Sequence, residues 1–245
     1  MKLISQITPS LIRDYLLILE ERGHNAGGVH GYFRSVKAFL RWYWDELDIE
    51  TVNPISKVKT PRLPVEPIEG ISRDEFESLL SACKKTFLGE RDRAILMVLL
   101  DTGIRASELC SIRLEDVNLI DSSILIRQGK GKKPRYVFFG KTTRKQLRRY
   151  LRYTDSPYLF INRFGEKLVF NALRQIVRKL CREAGIKEIG LHSFRRAFCL
   201  ECLRKGIPEI TIARLMGHTS TQLIGRYAKQ TTVDLQNSYR SPLDE

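Results

Sequence analysis

The chain has 245 residues, 42 Lys+Arg against 28 Asp+Glu, and a net charge of +14, room for one large domain or two smaller ones. No apolar run approaches the ~20 residues of a membrane span, and the opening MKLISQITPS lacks an apolar core of signal length; this argues against membrane insertion or export. The five cysteines are an odd number without framework spacing, which points to a reducing cytoplasm. The charge is uneven. Residues 1–66 carry 9 Lys+Arg and 8 Asp+Glu, whereas residues 67–245 carry 33 and 20. A basic excess confined to one part is the electrostatic footprint of a phosphate-backbone binder.

In chain order, residues 8–22 open with Thr8 as a cap and Pro9 at the first helical position, followed by apolar residues at helical spacing. HNAGG (24–28) breaks the pattern, and a second helix fits 29–46. Its aromatic and basic residues (Tyr32, Arg34, Lys37, Arg41, Trp42, Tyr43, Trp44) suit packing between helices more than DNA contact, because large aromatics dominate small cores. Arg41 is kept as a DNA contact. Residues 54–70 hold four prolines and read as an extended linker, whose Lys57, Lys59 and Arg62 suit a strap along a phosphate backbone. A domain boundary falls near residue 66, and S-x-x-E (Ser72, Glu75) marks the next helix start.

Beyond it, helices are expected at Arg91–Asp101, Ala106–Ile112, 142–153, 168–184, 193–205, 208–215 and 221–228. Ser122–Arg127 and Arg135–Phe139 alternate around a Gly/Lys turn and predict a hairpin. The fold class is therefore mainly α with a small antiparallel sheet: a helical module over 1–66 and a larger domain over 67–245. Cys199 and Cys202 form a C-x-x-C pair, but a zinc site needs a second ligand pair. Within a helix-like run they read as small apolar residues.

Tyr227, in GHTSTQLIGRYAK (217–229), stands out chemically. Upstream lie Arg105 in TGIRASEL (102–109), Lys130 in GKGKK (129–133), His192 and Arg195 in LHSFR (191–195), and His218. A tyrosine attacking phosphate makes a crowded, negative pentavalent centre. Two arginines can each fork onto non-bridging oxygens, lysine or histidine can move protons, and tyrosine can form the covalent bond. Arg105 follows a helix stop at Gly103 and precedes a helix start, where backbone N–H groups favour anions; Glu108, one turn on, can orient it. His192 and Arg195, three apart, share a helix face. The tyrosine rivals are weaker: Tyr239 has no preceding His motif, and Tyr153 and Tyr158 precede the second arginine.

The ordered set Arg, Lys, His-x-x-Arg, His, Tyr resembles the tyrosine recombinases, or phage-type integrases, and the Xer-like members most closely, from about Ser72 to Tyr227. The resemblance implies a helical DNA-binding module before a catalytic domain, with a C-terminal tail that members lend to a neighbour. It implies that Arg105, Lys130, His192, Arg195, His218 and Tyr227 are catalytic, with Glu108 in support. Arg105 would hold the scissile phosphate and Lys130 would protonate the leaving 5′ hydroxyl. Lys132, Lys133 and Arg135 fit a basic hairpin on phosphate. Arg196 stands where the family often has histidine, and is expected to be structural or to touch phosphate. The module of 66 residues is shorter than the family's usual clamp of four or five helices.

The implied function is site-specific DNA recombination through a 3′-phosphotyrosyl intermediate, by a tetramer on double-stranded DNA. No acidic constellation for two Mg²⁺ ions and no GxxxxGK[ST] loop is present, so no metal or nucleotide cofactor is expected. Two alternatives are a type IB topoisomerase and a DNA-binding protein without catalysis. The GKGKK turn, the helical N-terminal module and the small size favour recombinase over the first, and the complete motif set disfavours the second.

Overall fold

The structure is a computed structural model that describes residues 4–62, 70–127 and 134–217. The chain forms two compact units, Met1–Pro67 and Ile68–Glu245.

In the first unit, α1 (Pro9–Glu21) starts where Thr8 Oγ1 accepts the Leu11 N–H at 3.2 Å. Its Ile12, Leu16 and Leu19 pack against Val29, Phe33 and Leu40 of α2 (Ala26–Glu46). Helix α2 begins three residues before the sequence suggests. Asn25 Oδ1 accepts the Gly28 N–H at 2.8 Å, so the cap outweighs the helix cost of two glycines in the first turn.

The aromatics of α2 correct a second expectation. Phe33 is buried and Trp44 packs on the core, but Tyr32, Phe39 and Trp42 are exposed. Phe39 lies against Trp42 and Tyr43 on the outside, with centroids 5.9 and 6.0 Å apart. One face of a helix carries only so many core positions, and Val29, Phe33 and Leu40 fill them.

The linker expectation also fails at its start. Pro54–Lys57 is a 3₁₀ turn capped by Asn53, and Pro54, Ile55 and Val58 are buried in the unit's core. Apolar side chains at the first, second and fifth positions outweigh the extended bias of proline. Lys57, Lys59 and Arg62 remain exposed.

In the second unit, α3 (Arg73–Ala82) opens with the capping box: Ser72 Oγ accepts from the Glu75 N–H and Glu75 Oε2 from the Ser72 N–H. Helix α4 (Phe87–Thr102) starts four residues ahead of expectation, because Thr86 caps it through the Gly89 N–H. Its Ala94, Ile95, Leu96, Val98 and Leu99 are buried on nearly every side, which makes it the axis of this unit. It packs against α6 (Lys141–Tyr150) and α8 (Leu191–Arg204). Helix α5 (Ala106–Leu109) is one turn, shorter than the expected run to Ile112.

Strands β1 (Val117–Asn118), β2 (Ser123–Ile126) and β3 (Arg135–Phe138) form an antiparallel sheet in that order. Val117 pairs Ile124, and Ile124 pairs Val137. The expected hairpin is present; β1, two residues long, is too short to show a period in sequence. Helices α7 (Phe170–Glu183) and α9 (Glu209–Met216) complete the described α-helices. Cys199 and Cys202 sit with Ile212, Ala213 and Met216 in a small cluster between α8 and α9, and burial pushes both thiols up to about 11. The helix expected at 221–228 lies outside the described residues.

Candidate active site

Helix α4 ends at Gly103, whose φ of 59° is left-handed. A Cβ there would lie 2.3 Å from Phe198 Cδ1, so both the turn and the approach of α8 require glycine. Two residues later Arg105 is the N-cap of α5. Its backbone N–H donates to Glu108 Oε2 and its Nη1 to Glu108 Oε1, both at 2.9 Å. Because α5 is a single turn, its dipole adds little to anion binding. The guanidinium, with the side chain 35% exposed, is the cationic group facing out.

Glu108 is buried, with 2% of its side chain exposed, and it is shared. Arg135, the first residue of β3, donates from Nη1 to Oε1 at 3.1 Å and from Nη2 to Oε2 at 2.8 Å. Burial would raise the Glu108 carboxyl. Hydrogen bonds from Arg135 and the Arg105 backbone, the charge of Arg135 and the Arg105 side-chain bond outweigh it and hold the carboxyl below its ordinary value. Two cations around one buried carboxylate leave the group positive and ordered.

Helix α8 supplies the second arginine. Arg195 is 3% exposed. Its Nη1 donates to the Gly103 carbonyl, and its Nη2 to the Met216 carbonyl at 2.6 Å. Arg105 Nη2 reaches the next carbonyl, Gly217 O, at 3.3 Å, and Arg135 Nε reaches Leu215 O at 2.9 Å. Three arginines from α8, the α4–α5 turn and β3 thus meet the C-terminal end of α9. An α-helix leaves its last carbonyls unpaired and partly negative, and guanidinium forks satisfy them.

His192 lies in the first turn of α8, which starts two residues ahead of expectation. Its surface is exposed, yet enough protein surrounds the ring to matter. Partial burial, then the charges of Arg196, Arg195 and Arg105, push its pKa below the ordinary 6.5. The imidazole is therefore neutral at pH 7, an acceptor as well as a donor. Arg196 is half-buried, and its Nε meets no acceptor among the described residues.

Arg105, Glu108, His192 and Arg195 thus share one region of the second unit, while Lys130, Lys132, Lys133, His218 and Tyr227 lie outside the described residues. Arg41, Lys57, Lys59 and Arg62 belong to the first unit and are exposed. Arg135, expected as a DNA contact, donates from each of its guanidinium nitrogens within the protein, and its side chain is 12% exposed. Sequence reasoning ranked it with its lysine neighbours, because composition does not tell an inward from an outward arginine. The Met216 and Gly217 carbonyls were missed too; an αL glycine after a helix was the available signal.

Residues 69–233 match the Phage integrase family. The chain belongs to this family. Tyrosine recombinase XerA of Pyrococcus horikoshii is 29% identical over 229 residues, which are 91% of this chain and 76% of that protein. The crystal structure of a XerA recombinase superposes with a TM-score of 0.63 at 26% identity, covering 98% of this chain and 86% of that one. The Tn1549 transposon integrase, in complex with transposon right end DNA, gives a TM-score of 0.78 at 18% identity over 96% and 85% of the two chains. Membership makes this an enzyme of DNA strand cleavage and rejoining, built on the mainly helical catalytic fold described above. Among the described residues no helix is long and apolar enough to cross a membrane.

Proposed function

We propose that this protein is a site-specific DNA recombinase that cuts and rejoins strands through a 3′-phosphotyrosyl intermediate at Tyr227, giving integration, excision or resolution. The observation that carries the reading is the convergence of Arg105 and Arg195, ninety residues apart in sequence, on the carbonyls of Met216 and Gly217, directly before His218. That anchors the start of the tyrosine-bearing segment to the two cations that a scissile phosphate would need.

In this reading the Tyr227 oxygen attacks phosphorus while the P–O5′ bond breaks. The electron pair leaves with the 5′ oxygen, which takes a proton from Lys130. The phenol proton passes to a neutral acceptor, a role His192 fits because its neighbours disfavour the imidazolium. Arg105, with Glu108 orienting it, and Arg195 neutralise the non-bridging oxygens, and His218 adds a hydrogen bond. The unperturbed phenol pKa is near ~10, so clustered cations lower the cost of the phenolate. The phosphotyrosyl bond conserves the energy of the broken phosphodiester, and a new 5′ hydroxyl reverses the step without nucleotide. The basic excess of residues 67–245 supports double-stranded DNA as partner. The exposed Arg41, Lys57, Lys59 and Arg62 and the half-buried Arg196 are further backbone contacts in this reading, together with Lys132 and Lys133. A tetramer on paired sites and a cytoplasmic location complete the proposal; the five cysteines, all free and buried, suit the latter.

Incubation with random-sequence nicked duplexes in excess EDTA tests it. The expected product is a covalent adduct at defined sites, followed by joining to a second duplex. Loss of cleavage on chelation, restored by Mg²⁺, contradicts the mechanism. Relaxation of supercoils by a monomer with no strand exchange supports the topoisomerase alternative instead.

A further inference from the structure

We propose that Arg135 is a positioning residue for the reaction, holding Arg105 and the end of α9 in one arrangement; this rests on the recombinase reading. Arg135 stands on β3, two residues after the GKGKK turn. From there it reaches both Glu108 oxygens, at 3.1 and 2.8 Å, and the Leu215 carbonyl at 2.9 Å. Glu108 in turn fixes the Arg105 guanidinium at 2.9 Å. The strand leaving the lysine turn, the arginine that faces out and the helix end before His218 are therefore linked through one side chain that is 12% exposed.

The fork explains the choice of residue. A planar guanidinium serves two carboxylate oxygens and a carbonyl in separate directions at once, whereas a lysine ammonium offers three donors from a single point. The fit is also steric: a Cβ on Gly217 would lie 2.8 Å from Arg135 Cζ, so the guanidinium packs against the glycine backbone. Arg135 touches no substrate in this scheme. Its effect passes through Glu108 to Arg105, and through Leu215 to the segment that starts at His218.

Two arms test this. In single-turnover cleavage of a nicked duplex, Arg135→Lys keeps the charge but loses the fork. It should slow adduct formation about 10²-fold, as a misplaced group does, with the duplex Kd unchanged. Arg105→Ala should cost much less in the Arg135→Lys background than in wild type, because both changes disable one device. Additive losses would overturn the proposal, as would a Lys variant of wild-type rate. The second arm uses protein without DNA: the Arg105 Nε–Hε signal in NMR should be ordered in wild type and averaged in Arg135→Lys. An unchanged Arg105 signal overturns the proposal. Should Arg135→Lys fail to fold, the pair Arg135→Met with Glu108→Gln removes both buried charges and is read the same way against Glu108→Gln alone. A wild-type protein that forms no adduct refutes the recombinase reading, and the NMR arm then decides the positioning claim alone.

Discussion

The two units bury different things. In the first, the described core is apolar throughout: Ile12, Leu16, Leu19, Val29, Phe33, Leu40, Ile55 and Val58. In the second, the described interior also holds Glu90, Arg91, Glu108, Asp116 and Arg195, each under 9% exposed. Charges inside a protein are costly unless paired, and these are paired. Arg91 donates to Asp92 and to the Ile161 carbonyl, and Gln146 and Arg149 meet Glu90. Those networks tie helices together away from the arginine cluster. Glu108 and Arg195 differ in kind. They hold a turn and a helix end in register around a region that keeps Arg105 partly open. The first unit is a scaffold made by burial alone, whereas the second spends buried charge on fixing the directions of a few cations.

The largest effect that separates them concerns Glu108. Glu108→Ala leaves the Arg135 guanidinium, on a side chain only 12% exposed, beside no carboxylate, and should cost about 3–5 kcal/mol of stability by urea unfolding. A loss below about 1 kcal/mol would make Glu108 an ordinary surface acid. The sign of its pH dependence follows from the depressed carboxyl. The folded form holds the proton less tightly than the unfolded chain, so its contribution is present above the ordinary glutamate value of ~4.3 and is lost as pH falls through the folded value. Glu108→Gln should remove that acid limb.

Next in size, Arg195→Ala should lower the cleavage rate about 10²–10³-fold, the usual cost of one charge-stabilising donor. Single-turnover kinetics on nicked duplex measure it, and a rate within threefold of wild type would break the assignment. In the first unit the matching perturbation is a cap. Asn25→Ala should cost about 1 kcal/mol, read by thermal unfolding, and leave the rate per folded molecule intact. The smallest effect is at Arg41, exposed on α2: Arg41→Ala should stay within about 0.5 kcal/mol of wild-type stability, with a weaker, less salt-sensitive duplex Kd as its only mark.

Histidine NMR separates the site from its surroundings. His192 should titrate below 6.5, since burial and the charges of Arg196, Arg195 and Arg105 all oppose protonation. A midpoint at or above 6.5 would remove it as a neutral proton acceptor.

Local chemistry explains which parts were legible in sequence. Caps at Thr8 and Ser72, the stop at Gly103 and the alternation around the lysine turn depend on a few adjacent residues, so they could be read directly. The starts of α2 and α4 were misplaced because Gly27, Gly28 and Gly89 look like breakers until the cap that takes a first-turn N–H is seen. The burial of Pro54, Ile55 and Val58 was hidden because proline content speaks of backbone and not of what lies beneath. At the site, residue types and order drew attention to Arg105, Glu108, His192 and Arg195. The carbonyl cradle and the inward turn of Arg135 join elements 80 and 112 residues apart, and no local pattern encodes them.

The central claim is that the phenol of Tyr227 forms the covalent bond while charge from Arg105 and Arg195 stabilises it. Mass mapping of the adduct trapped on a nicked duplex, alongside Tyr227→Phe, tests this most directly. The account predicts a nucleotide mass on the peptide that contains Tyr227, and no adduct from Tyr227→Phe with the duplex Kd nearly unchanged. A nucleotide on a peptide containing Tyr153, Tyr158 or Tyr239, or an adduct that survives in Tyr227→Phe, would contradict it.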